Sequence, residues 1–354
     1  MIFDIAPKED IRDLYDRKEQ LSLLASSIRS DERLILIYGA RRVGKTSLMR
    51  TFLKSGQMPF ISIDLKEIFF SHGSVPATAL YGTIAREFAN TARSLCSAQV
   101  ALNENASLSD LLRAIDDCAG AAGTKIIIAI DEAQYLRFSG KVRYDGIIAW
   151  ALDNLRNICF IMTGSESGIL REFMSGEDES TPLFGRFRRE ITLQRFRREE
   201  SIGFLKSGFA DAGMHMADGE IGEAVDRLDG VVGWLTYYGH FRSGARMSHL
   251  DAVRMVMDEG ARITTAELDS SISKSRNRYV HILKAIASGL DTWSVIKAYV
   301  ISNTGVISDT VLNSLMRTLV RIGTVEKSES GRYRVADPVA AEAISRMKAK
   351  EGVP

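Results

Sequence analysis

Cysteine, net charge and long apolar runs are all scarce in this 354-residue chain, and each scarcity removes a class of protein. The three cysteines, Cys96, Cys118 and Cys159, are odd in number and far apart, so neither a disulfide framework nor a CxxC metal or redox pair is expected. A reducing compartment fits. The formal net charge is +1, so bulk charge selects no partner, and any nucleic-acid reading must rest on local features. No run approaches the ~18 apolar residues of a membrane span, and the opening MIFDIAPKED carries charges where an export signal would carry an apolar core. A cytoplasmic chain without a membrane segment is expected. There is also no [NT]KxD motif for guanine, no HExxH or Cys/His cluster for zinc, and no GxGxxG for a dinucleotide.

What is present is an ordinary globular composition, 45% hydrophobic and 26% charged, over a length that suggests two or three domains. It is organised around LILIYGARRVGKTS at 34–47, an apolar run that leads into G-x-x-x-x-G-K-[ST]. Gly39 and Gly44 lack Cβ, so the backbone between them can curl and turn its N–H groups inward onto phosphate oxygens. Gly39, Ala40, Arg41, Arg42, Val43, Gly44, Lys45, Thr46 and Ser47 are therefore the candidate nucleotide-binding loop. Lys45 would place its ammonium on the outer phosphates, and Thr46 would ligate Mg²⁺. The helix starting there would point its positive dipole end at the anion.

Around that loop the chain alternates. Residues 10–30 read as an amphipathic helix, and 46–54 as the loop helix. PFISIDL (59–65) reads as a strand, and a long helix follows from Ala77 to Cys96. A capping box, Ser107 with Asp110, starts the next helix over 107–119. KIIIAIDEAQYL (125–136) is a buried strand ending in Asp131 and Glu132; a helix at 145–156 and the strand ICFIMTG (158–164) complete the pattern, with ITL (191–193) as an edge strand. Such alternation predicts a parallel sheet with helices on both faces and a ligand at the carboxyl ends of its strands.

Paired acids at the end of a buried strand downstream of a phosphate loop have a use. Asp131 would hold Mg²⁺ directly or through water, and Glu132 would orient or deprotonate the attacking water. Such carboxylates also serve merely to end strands. Thr163 and Ser165 are candidates for sensing the terminal phosphate or holding the water, although strand ends are often polar for no other reason. GSESG (164–168) is not a nucleophile elbow, because Glu166 occupies the middle position. Six arginines, Arg186, Arg188, Arg189, Arg195, Arg197 and Arg198, lie within 186–198. They form a solvated basic face, a nucleic-acid patch, or the source of an arginine finger in cis or in trans, for which Arg186 is the candidate.

Residues 197–265 are helical in character, a lid in which Trp234, Tyr237 and Tyr238 read as core. Three helices then precede a hairpin turning near Ser330 and Gly331, which resembles a winged helix-turn-helix. Over 276–354 there are 12 Lys and Arg against 7 Asp and Glu. That surplus is compatible with duplex DNA, through Arg317 and Arg321 of the third helix and Lys327, Arg332 and Arg334 of the hairpin.

Taken together, YDRKEQL (15–21), GARRVGKTSL (39–48), IDEAQYL (130–136), MTGS (162–165), GRFRREITL (185–193), GVVGWL (230–235), RYVHILKAIASG (278–289) and YRVADP (333–338) resemble the archaeal P-loop ATPases of the AAA+ superfamily, close to the STAND and origin-recognition-like branches. The resemblance implies an α/β fold with a 5-1-4-3-2 parallel sheet, then a helical lid and a C-terminal winged helix. It implies domains at 1–195, 196–270 and 271–354, Arg17 near the adenine, Lys45 and Thr46 on phosphate and Mg²⁺, and Glu132 as base. Gln20 stands where an acidic residue is usual, Ala40 where proline is common, and Val232 where a lid proline is usual. The expectation is a slow Mg²⁺-dependent ATPase acting as a conformational switch on an unidentified macromolecule. Its alternatives are a nucleotide-regulated DNA binder or a homo-oligomerising scaffold.

Overall fold

Five apolar segments form strands: β1 (Leu34–Gly39), β2 (Phe60–Asp64), β3 (Ile126–Asp131), β4 (Ile158–Gly164) and β5 (Arg189–Leu193). Their order is β5-β1-β4-β3-β2, all parallel, which is the 5-1-4-3-2 sheet that the resemblance implied. β1, β3 and β4 are buried at every position, as near-continuous apolar runs must be when helices cover both faces. The two outer strands, β2 and β5, show burial at alternate positions, the pattern of an edge.

The computed structural model describes residues 1–95, 106–165, 167–175, 181–271 and 275–347. Cys96, the expected end of the first long helix, and Glu166 lie outside them. The chain divides into two units, one of Pro7–Gly39 and Gly44–Leu193, the other of Met1–Ala6, Ala40–Val43 and Gln194–Pro354.

The first unit holds the sheet and helices α1 (Lys18–Arg29), α2 (Lys45–Ser55), α3 (Leu65–His72), α4 (Ala77–Leu95), α5 (Leu108–Ala121), α6 (Tyr144–Asn154) and α7 (Ser167–Ser175). α1 starts later than expected, because Asp10 accepts from Arg12 N at 2.9 Å in a tight turn and Asp16 has a φ of +43°. α3 was not expected. Asp64 caps it by accepting from Lys66 N at 2.9 Å, and Gly73 ends it with a φ of +70°. The capping box of Ser107 and Asp110 is present at α5. Cys118 is disulfide-bonded and Cys159 is free and buried, which corrects the expectation that no cysteine pairs. Distance along the chain sets only the entropy of closing a loop, and that grows slowly with length.

The second unit is helical: α8 (Arg198–Asp211), α9 (Asp218–Leu228), α10 (Val232–Ser243) and α11 (His249–Ser271), then α12 (Arg276–Ala287), α13 (Trp293–Thr304) and α14 (Asp309–Arg321). An antiparallel pair, β6 (Val325–Lys327) and β7 (Tyr333–Val335), turns through Gly331 and leads to α15 (Pro338–Arg346), which packs on α11 and α12. Three helices and a hairpin are the winged-helix arrangement. Trp234 and Tyr238 are fully buried, as a core reading of them requires. Phe3 fills the space over two glycines, Gly208 and Gly239, where a Cβ would come within 2.2 Å of its ring. Among the described residues no helix is long and apolar enough to cross a membrane.

Candidate active site

β1 delivers the chain to Gly39 at the carboxyl edge of the sheet, and α2 carries it away from Lys45. Gly44 has a φ of +96°, a conformation that glycine enters without steric cost. Lys45 is only 6% exposed, and its ammonium donates back to Gly39 O at 3.0 Å. A triphosphate oxygen can take the place of that carbonyl. Thr46 Oγ1 donates to Asp131 Oδ2 at 2.8 Å, joining the head of α2 to the end of β3.

The parallel register, Ile130 beside Met162, sets Asp131 next to Thr163 on the neighbouring strand. Thr163 Oγ1 donates to Asp131 Oδ1 and accepts from Glu132 N at 3.2 Å. Burial pushes the Asp131 carboxyl above the ordinary aspartate range, against the hydrogen bond of Thr163; the charge of Glu132 adds to the rise and the bond from Thr46 opposes it. The donors around Asp131 are all oxygens, of two hydroxyls and one carboxylate. That set suits a hard cation such as Mg²⁺, which keeps several waters and takes one or two carboxylates plus phosphate. Among the described residues no group of three or more His, Cys, Asp or Glu could hold a metal by itself.

Glu132 turns the backbone sharply, with a φ of +54° that costs a non-glycine residue on the order of 1–3 kcal/mol. The turn aims its carboxylate along β4, where Oε2 accepts from Ser165 Oγ at 2.7 Å, from Ser165 N at 3.3 Å and from Gln134 Nε2. Burial alone would raise this carboxyl, but the Lys45 ammonium and the donors of Ser165 and Gln134 outweigh it and hold it below the ordinary glutamate value. It is therefore an ionised acceptor close to a buried ammonium, the arrangement a general base needs.

Other candidates lie elsewhere. Arg17 is buried at the head of α1, which packs on α2. Ser47 accepts from Lys8 N at 3.1 Å, so its hydroxyl is turned to the N-terminal segment. Val43 is buried, and Ala40, Arg41, Arg42 and Val43 at the loop apex belong to the second unit, where Arg42 O accepts from Gly233 N at 2.9 Å. Arg186 precedes β5, whose Arg189 is opposite Ile35, so it sits toward the amino edge of the sheet and Gly39 lies at the carboxyl edge. At about 3.3 Å per strand residue the whole strand length separates them. The fold therefore does not bring Arg186 to the phosphate loop of its own chain.

The basic cluster is also resolved into pairs. Arg186 meets Asp153, Arg188 Glu190, Arg189 Glu32, Arg195 Asp229, Arg197 Glu200 and Arg198 Asp226. In the hairpin, Arg332 meets Asp291 and Arg334 meets Glu326. Gln134 is a site residue that motif reading passed over, although its place two residues beyond Glu132 in IDEAQYL was the signal available.

Residues 14–237 match the model of an ATPase domain predominantly from Archaea. The chain belongs to that family. As an ATPase of that family it binds ATP and hydrolyses it. Residues 273–336 match the C-terminal winged helix-turn-helix domain of MCM proteins. Among solved structures, the ATPase is similar to the Walker-type ATPase PabY2304 of Pyrococcus abyssi, at 32% identity and a TM-score of 0.88, over 97% of this chain and 99% of that one. It shares its fold with the Aeropyrum pernix ORC2 protein, seen in ADPNP–ADP complexes, at 17% identity and a TM-score of 0.62, over 97% and 96% of the two chains. No curated protein matches it.

Proposed function

We propose that this ATPase is a Mg²⁺-dependent conformational switch of the STAND or origin-recognition-like type, in which ATP held by the phosphate loop sets the positions of the lid, 196–270, and the winged helix, 271–354. The observation that carries it is the hydrogen-bonded network of Thr46, Asp131, Thr163 and Glu132, with the buried Lys45 ammonium, bonded to Gly39 O, acting on Glu132 through its charge. Thr46 and Asp131 would hold Mg²⁺, which when bound offsets charge on the phosphates. Lys45 grips the outer phosphates, and Arg17 lies by the adenine. Glu132 takes a proton from water as the water oxygen attacks the terminal phosphorus and the bond to the ADP oxygen breaks. Turnover is slow on this reading, because the Glu132 oxygen must first leave Ser165 and Gln134.

Two partners fit the second half. Duplex DNA at the exposed Arg317 is favoured by the winged-helix match, and such binding weakens steeply with salt. A further copy of the chain is favoured by the place of Arg186. The test of the central reading is Glu132→Gln. ATP affinity should stay within about twofold while hydrolysis falls by about 10²–10⁴. Hydrolysis at the wild-type rate would take the base away from Glu132.

A further inference from the structure

At the loop apex Arg42 has a φ of +65°, a left-handed backbone that an arginine holds only where its surroundings impose it. The surroundings are within its own unit. Its carbonyl accepts from Gly233 N, in the first turn of α10, at 2.9 Å. The approach is so close that a Cβ on Gly233 would stand 2.8 Å from Arg42 Cβ and 3.2 Å from Arg42 O. The guanidinium carbon lies 4.1 Å from the centroid of a Trp234 ring, a cation–π contact with a side chain that is fully buried.

Trp234 is tied in turn. Its Nε1 donates to both carboxylate oxygens of Asp337, at 3.0 and 2.8 Å. Asp337 is the last residue before α15, which it caps by accepting from Val339 N at 2.8 Å and Ala340 N at 3.4 Å. The preceding Ala336 O accepts from Arg195. α15 presses on α11 at Gly260, where a Cβ would lie 2.1 Å from Val339 Cγ1 and 3.1 Å from Trp234 Cη2. A continuous chain of contacts thus runs from the phosphate loop through one indole to the segment that closes the winged helix.

We propose that Trp234 and Asp337 are positioning residues for the phosphate loop, holding Arg42 in the backbone conformation that presents the loop's amides to a triphosphate, so that displacement of α15 lowers ATP affinity. This rests on the reading that the loop binds ATP. Arg42 is two residues from Gly44, and a change in its φ redirects the N–H groups on either side. A ligand that engages the winged helix and draws Asp337 away from Trp234 releases the indole and with it the clamp on Arg42. By linkage, ATP favours the state in which α15 is docked.

The test separates the tie from the cap. Asp337→Ser keeps a helix-capping hydroxyl but is too short to reach the indole; Asp337→Asn keeps the cap and one acceptor oxygen but sets an amide NH2 against the indole N–H; Trp234→Phe keeps a ring under Arg42 and removes the N–H. The full chain and each variant are assayed for ATP turnover and for binding of a fluorescent ATP analogue, with thermal melts alongside and Lys45→Ala as reference. KM and Kd for Asp337→Ser and Trp234→Phe should rise about threefold to tenfold, as expected for one lost buried hydrogen bond, with kcat changed less than about twofold. The double variant should be no worse than the worse single, and Asp337→Asn, with one of the indole's two acceptors left, should fall between wild type and Asp337→Ser. Unchanged KM in both single variants, or effects that add in the double, overturns the tie. If wild type and Lys45→Ala bind the analogue equally, the reading of the loop itself fails and the tie falls with it. Should Asp337→Ser not fold, Trp234→Phe decides.

Discussion

At the carboxyl end of the sheet Lys45, Asp131 and Thr163 are buried and bonded mainly to neutral groups, Gly39 O, Thr46 Oγ1 and each other. At the amino end Arg189 meets Glu32, and Arg186 meets Asp153 with side chains 31% and 53% exposed. The same residue types serve opposite ends. Where water is excluded, hydroxyls satisfy the carboxylates without cancelling their charge, so the charge is left for a metal, a proton or a phosphate. Where water enters, each charge is cancelled locally, and the field that a ligand would feel is spent. The contrast explains why the arginine-rich stretch looks like a binding surface in the sequence and is a set of ion pairs in the fold.

The largest test of the contrast removes the buried ammonium of Lys45. Lys45→Ala should weaken ATP binding by about 10²–10⁴ in a calorimetric titration, the range set by about 3–5 kcal/mol for stripping one partner from a buried charge pair. It should also let the Glu132 carboxyl rise, because Lys45 opposes the effect of burial on it. Retained affinity would mean that ATP is not held at this loop, and the carboxyl end would lose its claim to special chemistry.

How much of this was legible in the sequence follows from the distances involved. The phosphate loop was read because its constraint is local: a curl of backbone needs Gly39 and Gly44, and both lie within one short string. Asp131 and Glu132 were read because they end an apolar run. The hydrogen bonds that make them a site join Thr46 to Asp131, 85 residues apart, and Ser165 to Glu132, 33 apart. Strand order decides such pairs, and it came from a family likeness rather than from periodicity. The partners of the arginines were illegible for the same reason, since Arg189 finds Glu32 at a separation of 157. α3 was readable in principle, Asp64 standing as a cap before Lys66 and Gly73 as a stop. Asp337 before Pro338 carried an equally plain helix-start signal; that its other partner would be Trp234, 103 residues away, did not.

A smaller effect is expected from a neutral group at the buried end. Thr163→Val removes one hydroxyl at constant volume; Asp131 Oδ1 and Glu132 N each lose one partner and keep the 3.2 Å bond between them. Folding stability should drop by about 0.5–1.5 kcal/mol in a urea titration, the net worth of one intramolecular hydrogen bond. A drop of a few tenths would mean that water reaches Asp131 freely.

The smallest effect belongs to the charged end. Arg186→Ala deletes a full ion pair with Asp153, yet both partners are partly exposed, and screening by solvent should leave stability within about 1 kcal/mol of wild type. In dilute solution, with the chain monomeric, ATP affinity and turnover should also be unchanged, because the arginine is a strand's length from its own phosphate loop. Turnover per chain should then separate the variant from wild type only as protein concentration rises, where a second copy brings an arginine to the first copy's phosphates. If the variant lost more stability than Thr163→Val, or lost turnover at high dilution, charge at the amino end would matter to the single chain and the contrast between the two ends would fail. A loss confined to high concentration gives the amino end a different purpose: its pairs then hold the arginine in check until a neighbour arrives, and the cost of parting Arg186 from Asp153 becomes part of the threshold for assembly.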